Sequence, residues 1–323
     1  LVEEMGARLE RTALSTNVKE RLDFSCALLD ADGLLTANAP HVPVHLGALG
    51  LCVREIAATL SLEPGDVVIS NHPGFGGSHL PDVTVIAPVH DRSGNLFAYV
   101  ANRAHHAEIG GTRPGSMPPE ARNLAEEGVV IPPTYLFRKG ESHIDEVARL
   151  FYEGPWPSRR PEENLADLLA QVASVRFGCD RLSELAEEHG SHTLGEHMKH
   201  LRDRSAGICR EFLARHEGAE LRAEQRLDDG SLIAVTITIR DSRATFDFTG
   251  TGSRHPANLN ATAAIVRSAL VYVLRFLAER EVPLNEGFLD PVEIILPDDS
   301  FLSPLFSDDP AEAPAVAGGN VEV

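Results

Sequence analysis

The runs Val83-Thr84-Val85-Ile86-Ala87-Pro88-Val89 and Leu96-Phe97-Ala98-Tyr99-Val100-Ala101-Asn102 flank the turn-forming Asp91-Arg92-Ser93-Gly94-Asn95. Two β-rich segments joined by such a turn read as an antiparallel hairpin over 83–102. In a hairpin the first residue of one strand lies beside the last residue of the other. With the turn centred near Arg92-Ser93, Asp82 falls beside Arg103 to His105. His79, three residues before Asp82, reaches the same point if Leu80-Pro81 makes a turn. His79, Asp82 and His105 therefore converge as a three-ligand metal set with positions left open for water or substrate. Asp23, His41, His45, His106 and Glu108 are candidates for further ligands, for partners of the ligands, or for a general base. A histidine beside a strand is ordinarily a surface or core residue. What sets this group apart is that strand register brings it together, whatever the residue types.

Upstream, Pro73-Gly74-Phe75-Gly76-Gly77 lacks both the lysine of a GxxxxGK[ST] loop and the spacing of GxGxxG. Its glycines read as a tight bend ahead of the ligand turn. Asp247-Phe248-Thr249-Gly250-Thr251-Gly252 reads as a strand end with a turn, with a phosphate loop as the alternative. Further out, an amphipathic helix is expected over 1–18 and a strand over 24–29. A helix is expected over roughly 47–60 and a buried strand over 67–70. The glycine- and proline-punctuated stretch 110–133 reads as a long irregular segment, of the kind that is functional or disordered. Helices in two pieces divided near Gly190 fill 161–217, then strands 232–239 and 244–248. A helix over about 261–280 follows, with Ile265, Ala269, Val273 and Phe276 on one face, then a strand over 292–296. The fold class is α+β: mixed, largely antiparallel sheets with packed helices. The connection Gly154-Pro155-Trp156-Pro157 marks a boundary, giving a metal-site region over 1–150 and a helical then α/β region over 151–323.

Bulk composition narrows the function. The 323 residues carry 43% hydrophobic and 24% charged side chains, the balance of a soluble globular protein. A formal charge of -19 argues against nucleic-acid binding, which needs Lys and Arg against phosphates. No apolar run is long enough to cross a bilayer, and Leu1-Val2-Glu3-Glu4-Met5 has no signal-peptide pattern. Cys26, Cys52, Cys179 and Cys209 form no CxxC pair and read as free thiols of a reducing, cytoplasmic compartment. The chain does not begin with Met and stops at Gly319-Asn320-Val321-Glu322-Val323 without a composition shift. Both ends are therefore expected to be cut from something longer.

Several segments in order resemble the hydantoinase B/oxoprolinase family. They are Lys19-Glu20-Arg21-Leu22-Asp23-Phe24-Ser25-Cys26-Ala27-Leu28, His41-Val42-Pro43-Val44-His45-Leu46-Gly47, and Gly76-Gly77-Ser78-His79-Leu80-Pro81-Asp82-Val83-Thr84. The likeness continues through Ala101-Asn102-Arg103-Ala104-His105-His106-Ala107-Glu108-Ile109-Gly110-Gly111 and Pro114-Gly115-Ser116-Met117-Pro118. It returns at Asp247-Phe248-Thr249-Gly250-Thr251, Arg267-Ser268-Ala269 and Val316-Ala317-Gly318-Gly319-Asn320-Val321-Glu322. The resemblance implies a metal-dependent catalytic subunit of an ATP-dependent cyclic-amide hydrolase, opening a 5-oxoproline or hydantoin ring. In the carboxylase branch of the family it implies a divalent metal at a His-x-x-Asp pair plus a later His, which map onto His79, Asp82 and His105; a Mn, Zn or Fe ion is expected there. ATP and Mg are implied on a partner, the hydantoinase A-type subunit, in a hetero-oligomer. His106 or Glu108 is then the group expected to move the proton. The family also holds subunits of acetone- and acetophenone-type carboxylases, so a ketone carboxylase is the alternative; a non-catalytic scaffold with a structural metal is another. One departure is His72, where the family often has an acidic residue, and a second is the small Gly74. His72 is thereby expected to alter the charge of the substrate pocket.

Overall fold

The computed structural model describes residues 1–39, 42 and 45–322. Helices α1 (Val2–Thr12) and α2 (Thr16–Lys19) precede strands β1 (Phe24–Asp30) and β2 (Leu35–Asn38). Helix α3 (Leu49–Thr59) and strand β3 (Val67–Ser70) lead to the hairpin of β4 (Asp82–His90) and β5 (Leu96–His105). Then come α4 (Leu124–Glu127), β6 (Thr134–Arg138), β7 (Glu141–Ser142) and α5 (Ile144–Leu150). Two long helices follow, α6 (Pro161–His189) and α7 (Ser191–Ala214), and then β8 (Glu220–Arg226), β9 (Leu232–Arg240) and β10 (Arg243–Asp247). Helix α8 (Ala263–Leu277), strand β11 (Val292–Ile295) and the turn-length α9 (Gly319–Glu322) end the described chain.

The first sheet has seven strands in the order β2-β1-β5-β4-β3-β6-β7, every pair antiparallel. The second has four, β11-β10-β9-β8, with only β10 and β11 parallel. This is the mixed, largely antiparallel α+β class that the sequence predicts. The hairpin lies at the centre of the first sheet, and nearly all its residues are buried on both faces. Alternation along the strands then divides them. Val83, Val85, Val100 and Ala104 join α1 and α6 in one core, while Ile86, Tyr99 and Ala101 join α3, α8 and the second sheet in another.

Two expectations are corrected, and one strand is added. The helix expected over 1–18 breaks into α1 and α2, because Asp167 Oδ1 accepts the backbone N–H groups of Leu14 at 2.7 Å and Ser15 at 3.0 Å. Its partner lies on α6, beyond the reach of any local pattern. Strand β8 was not expected; its sequence, ELRAEQR, is exposed throughout and has no apolar alternation to betray it. On α8 the buried residues include Ile265, Ser268, Val271 and Leu274, whereas Val273 and Phe276 are exposed. A helix apolar on most of its circumference does not announce which stripe it buries. By contrast, α6 and α7 divide at Gly190, whose φ of +87° suits glycine. All four cysteines are free. No helix among the described residues is long and apolar enough to cross a membrane.

Candidate metal centre

Register builds the site. Asp82 pairs directly with His105, and the ladder continues through Val83 with Ala104 and Thr84 with Arg103. The N–H of Asp82 donates to His79 O at 3.1 Å and that of Val83 to Pro81 O at 3.0 Å, so Leu80-Pro81 does form the turn that returns His79 to the strand. Ahead of it, Gly76 takes φ +73°, and a Cβ there would lie 2.5 Å from the backbone nitrogen of Cys52 on α3. Glycine is required where loop and helix backbones meet.

His79, Asp82 and His105 each offer a ligand atom, and these atoms lie within 4.8 Å of one another. Asp82 Oδ1 stands 3.4 Å from His79 Nε2 and 3.5 Å from His105 Nδ1. Ligand atoms about 2.1 Å from a common tetrahedral ion stand about 3.4 Å apart, so these gaps have the right size. The second oxygen of Asp82 accepts a hydrogen bond from Ser78 Oγ and faces His45 Nε2 at 3.5 Å. His45 is fixed from behind by Ser25 Oγ, 3.0 Å from its Nδ1. Asp23 Oδ2, on a side chain one-third exposed, is 3.7 Å from His105 Nδ1. Burial pushes the Asp82 carboxyl up, but the neighbouring His79 and His45 and the hydrogen bonds from His105 and His45 outweigh it and hold it well below the usual range. Burial lowers His105, yet Asp82 and Asp23 raise it overall. A buried carboxylate between imidazoles is a donor set that could hold a divalent ion.

The other candidates go elsewhere. The side chains of His106 and Glu108, expected to move the proton, bond to other partners instead of joining this cluster. His106, one residue beyond β5, points to the opposite face of the sheet. There its Nε2 pairs with Gln171 Oε1 and its Nδ1 with Asn164 Nδ2, each at 3.0 Å. Burial lowers its pKa, which suits a neutral ring bonded on both sides. Glu108 pairs with Arg159 at 2.9 Å and caps the N–H groups of Gly110 and Gly115. His72 Nδ1 accepts from Gly74 N at 3.0 Å, and its ring meets Phe75 and Phe306 edge-on; burial lowers its pKa. It braces the glycine loop. His41 lies outside the described residues.

Two participants escaped the sequence reading. Arg103, wholly buried, donates from Nε to Thr84 Oγ1 at 2.8 Å and from Nη2 to Gly76 O at 3.0 Å. It ties the loop carrying His79 to the hairpin carrying Asp82. Asn320 lies 3.2 Å from His79 Nδ1 across 241 positions of sequence. Arg103 shares strand parity with His105, a usable signal; for Asn320 the only signal was its glycine-flanked motif.

Comparison with known proteins bears on the family and the fold. The family model for hydantoinase B/oxoprolinase matches residues 1–323. The 5-oxoprolinase of Saccharomyces cerevisiae is 44% identical over 332 residues, covering 98% of this chain and 25% of that protein. The crystal structure of an ATP-dependent caprolactamase from Pseudomonas jessenii aligns with TM-score 0.86 and 26% identity, over 98% of this chain and 54% of that one. A nucleotide-free acetone carboxylase shares the fold at TM-score 0.84 and 16% identity, over 98% and 44% respectively. The chain thus spans a quarter of the yeast relative and about half of the caprolactamase chain.

Proposed function

Because the chain belongs to the hydantoinase B/oxoprolinase family, we propose that it is the metal-dependent catalytic part of an ATP-dependent cyclic-amide hydrolase. The substrate class is a lactam-type ring such as 5-oxoproline or a hydantoin. The observation that carries this reading is the convergence of two imidazoles and a buried carboxylate within 4.8 Å at the end of the central hairpin. Relatives named 5-oxoprolinase and a structural neighbour described as an ATP-dependent caprolactamase support the substrate class. ATP is assigned to an A-type partner subunit or half, in keeping with a sequence that has neither a GxxxxGK[ST] nor a GxGxxG motif. A divalent ion held by these ligands supplies Lewis acidity toward a carbonyl or phosphoryl oxygen.

The chain's own residues do the rest. His79, Asp82 and His105 bind the ion. Ser78 and His45 hold the second oxygen of Asp82, leaving the first to face the two ligand imidazoles. Asp23 takes the proton-handling role, since it is the partly exposed carboxylate beside His105.

The test begins with metal content in the parent and in Asp82→Ala, both checked for folding by circular dichroism. It continues with ring opening of 5-oxoproline and hydantoins in the presence of the A-type partner, with and without ATP. Near-stoichiometric metal lost in a folded Asp82→Ala, with ATP-dependent ring opening, is the expected result. Turnover that requires bicarbonate moves the assignment to a ketone carboxylase. Joint loss of metal, fold and assembly in Asp82→Ala makes the metal structural instead.

A further inference from the structure

The motif Val316-Ala317-Gly318-Gly319-Asn320 plays no part in the reading above, yet the fold spends many interactions on it. Leading into it, the carbonyl of Ala313 accepts from Leu124 N at 3.0 Å and that of Ala315 from Asn260 Nδ2 at 2.9 Å. The N–H groups of Val316 and Ala317 both donate to Oε1 of Glu127, at 2.9 and 2.8 Å. Glu127 is wholly buried; among the described residues these are its side-chain hydrogen bonds, and Oε2 has no partner. Gly319 N donates to Asn258 O at 2.8 Å, while Asn258 is itself held through Nδ2 by Pro118 O at 3.0 Å. A Cβ on Gly319 would lie 2.2 Å from Asn260 O, and one on Gly318 2.7 Å from Asn258 Oδ1. The segment is a strap threaded through a fitted channel, and glycine is demanded where the channel is narrowest.

The strap delivers one side chain to the metal centre. The carboxamide of Asn320 lies 3.2 Å from Nδ1 of His79, whose Nε2 faces Asp82. An imidazole that ligates through Nε2 must carry its proton on Nδ1, and such a proton ordinarily meets a carbonyl or carboxylate oxygen that fixes the tautomer and ring orientation. Oδ1 of Asn320 is buried and has no hydrogen-bond partner among the described residues, so the carboxamide holds an acceptor unused by them. Half a turn about the last torsion of the carboxamide presents Oδ1 to the ring in place of Nδ2. We propose that Asn320, carried on a strap anchored by Glu127, is a positioning residue that sets the ligating tautomer of His79. The inference rests on the reading of His79 as a ligand. It makes the strap part of the metal site although it contributes no ligand.

Two measurements test it on the whole chain. Nitrogen-15 NMR of the metal-free protein in alkaline buffer, where neutral imidazoles dominate, reads the His79 tautomer. Zinc(II) titration against a competing chelator reads affinity. The parent is expected to hold the Nδ1–H form. Asn320→Leu should shift His79 to the Nε2–H form and weaken zinc binding about tenfold or more. Asn320→Asp, which keeps an acceptor, should retain the tautomer and bind zinc at least as tightly as the parent. Glu127→Ala should weaken zinc binding, and Glu127→Gln, which keeps a carbonyl for both N–H groups, should restore it. An Nε2–H ring in the folded parent, or unchanged affinity in a folded Asn320→Leu, overturns the proposal. If Asn320→Leu does not fold, the Asp variant decides, and weaker zinc binding in it is equally fatal. A parent that binds no zinc removes the metal reading alone, and the tautomers of parent and Asp variant then decide the strap's role.

Discussion

Glu127 is a carboxyl group that the fold keeps away from water. Burial pushes its pKa up to about 8, against the lowering effect of the Ala317 and Val316 N–H groups and with the charge of Glu126 adding to the rise. A folded-state value above the unfolded one means the group's contribution is fully present below the ordinary carboxyl pKa of about 4.5 and is lost as pH climbs toward about 8. Stability of the metal-free protein should therefore fall across that window, by up to about 1.4 kcal/mol per pH unit from this residue. Glu127→Gln should remove that component, and urea unfolding of both proteins at several pH values checks it. Parallel pH profiles for the two would show that Glu127 does not titrate in this way. No sequence pattern marks this residue, because its partners are backbone groups about 190 positions away. The neighbouring pair His105 and His106 was more legible. Once Asp82 is set opposite His105, strand alternation already sends His106 to the other face, where Gln171 and Asn164 wait on α6. Counting both as site candidates used the composition of the motif and left its parity unused.

At the scale of elements, legibility followed the range of the forces involved. The hairpin is specified by its own turn and by β-branched residues within its own strands, so its register could be read locally, and with it the meeting of Asp82 and His105. The break between α1 and α2 comes from an aspartate on α6, and β8 is a strand through its pairing with β9. Both depend on contacts that sequence separation hides. The glycine loop between β3 and β4 stands between these cases. Its bend was expected, but its packing on α3 was not. Gly76→Ala places a Cβ 2.5 Å from Cys52 N at a φ of +73°. The expected cost is about 2 kcal/mol or more, beyond the penalty for an alanine at positive φ, because helix backbone must move. The shift should reach the site as well, since Arg103 binds the Gly76 carbonyl and the same loop carries His79. Urea unfolding and zinc titration of Gly76→Ala should both fall. A variant with lowered stability but unchanged zinc affinity would separate the loop from the site.

Across the whole molecule, both hydrophobic cores run through the boundary expected near residue 150. Val83 and Val85 of the hairpin share a core with Leu168, Val172 and Val175 of α6. Leu29 and Val68 of the first sheet share the other with Ile239 and Phe246 of the second and with Val271 of α8. Polar groups cross the same boundary, since Gln171 Nε2 donates to Val83 O at 2.9 Å and to Asn102 Oδ1 at 3.1 Å. Neither half can bury its apolar faces alone, so the loss of one should expose the other to water. The chain should then unfold in a single transition. Trp156 is the only tryptophan and sits in the connection between the halves, where its carbonyl accepts from Gly111 N at 3.0 Å. Its fluorescence reports on that junction, while far-ultraviolet circular dichroism follows all the helices. The two signals should share one denaturant midpoint, and zinc should raise both together by mass action if the ion binds only the folded chain. Separate midpoints would mean that α6 releases the hairpin before the rest of the molecule opens, and the candidate metal site would then sit on a unit able to open by itself.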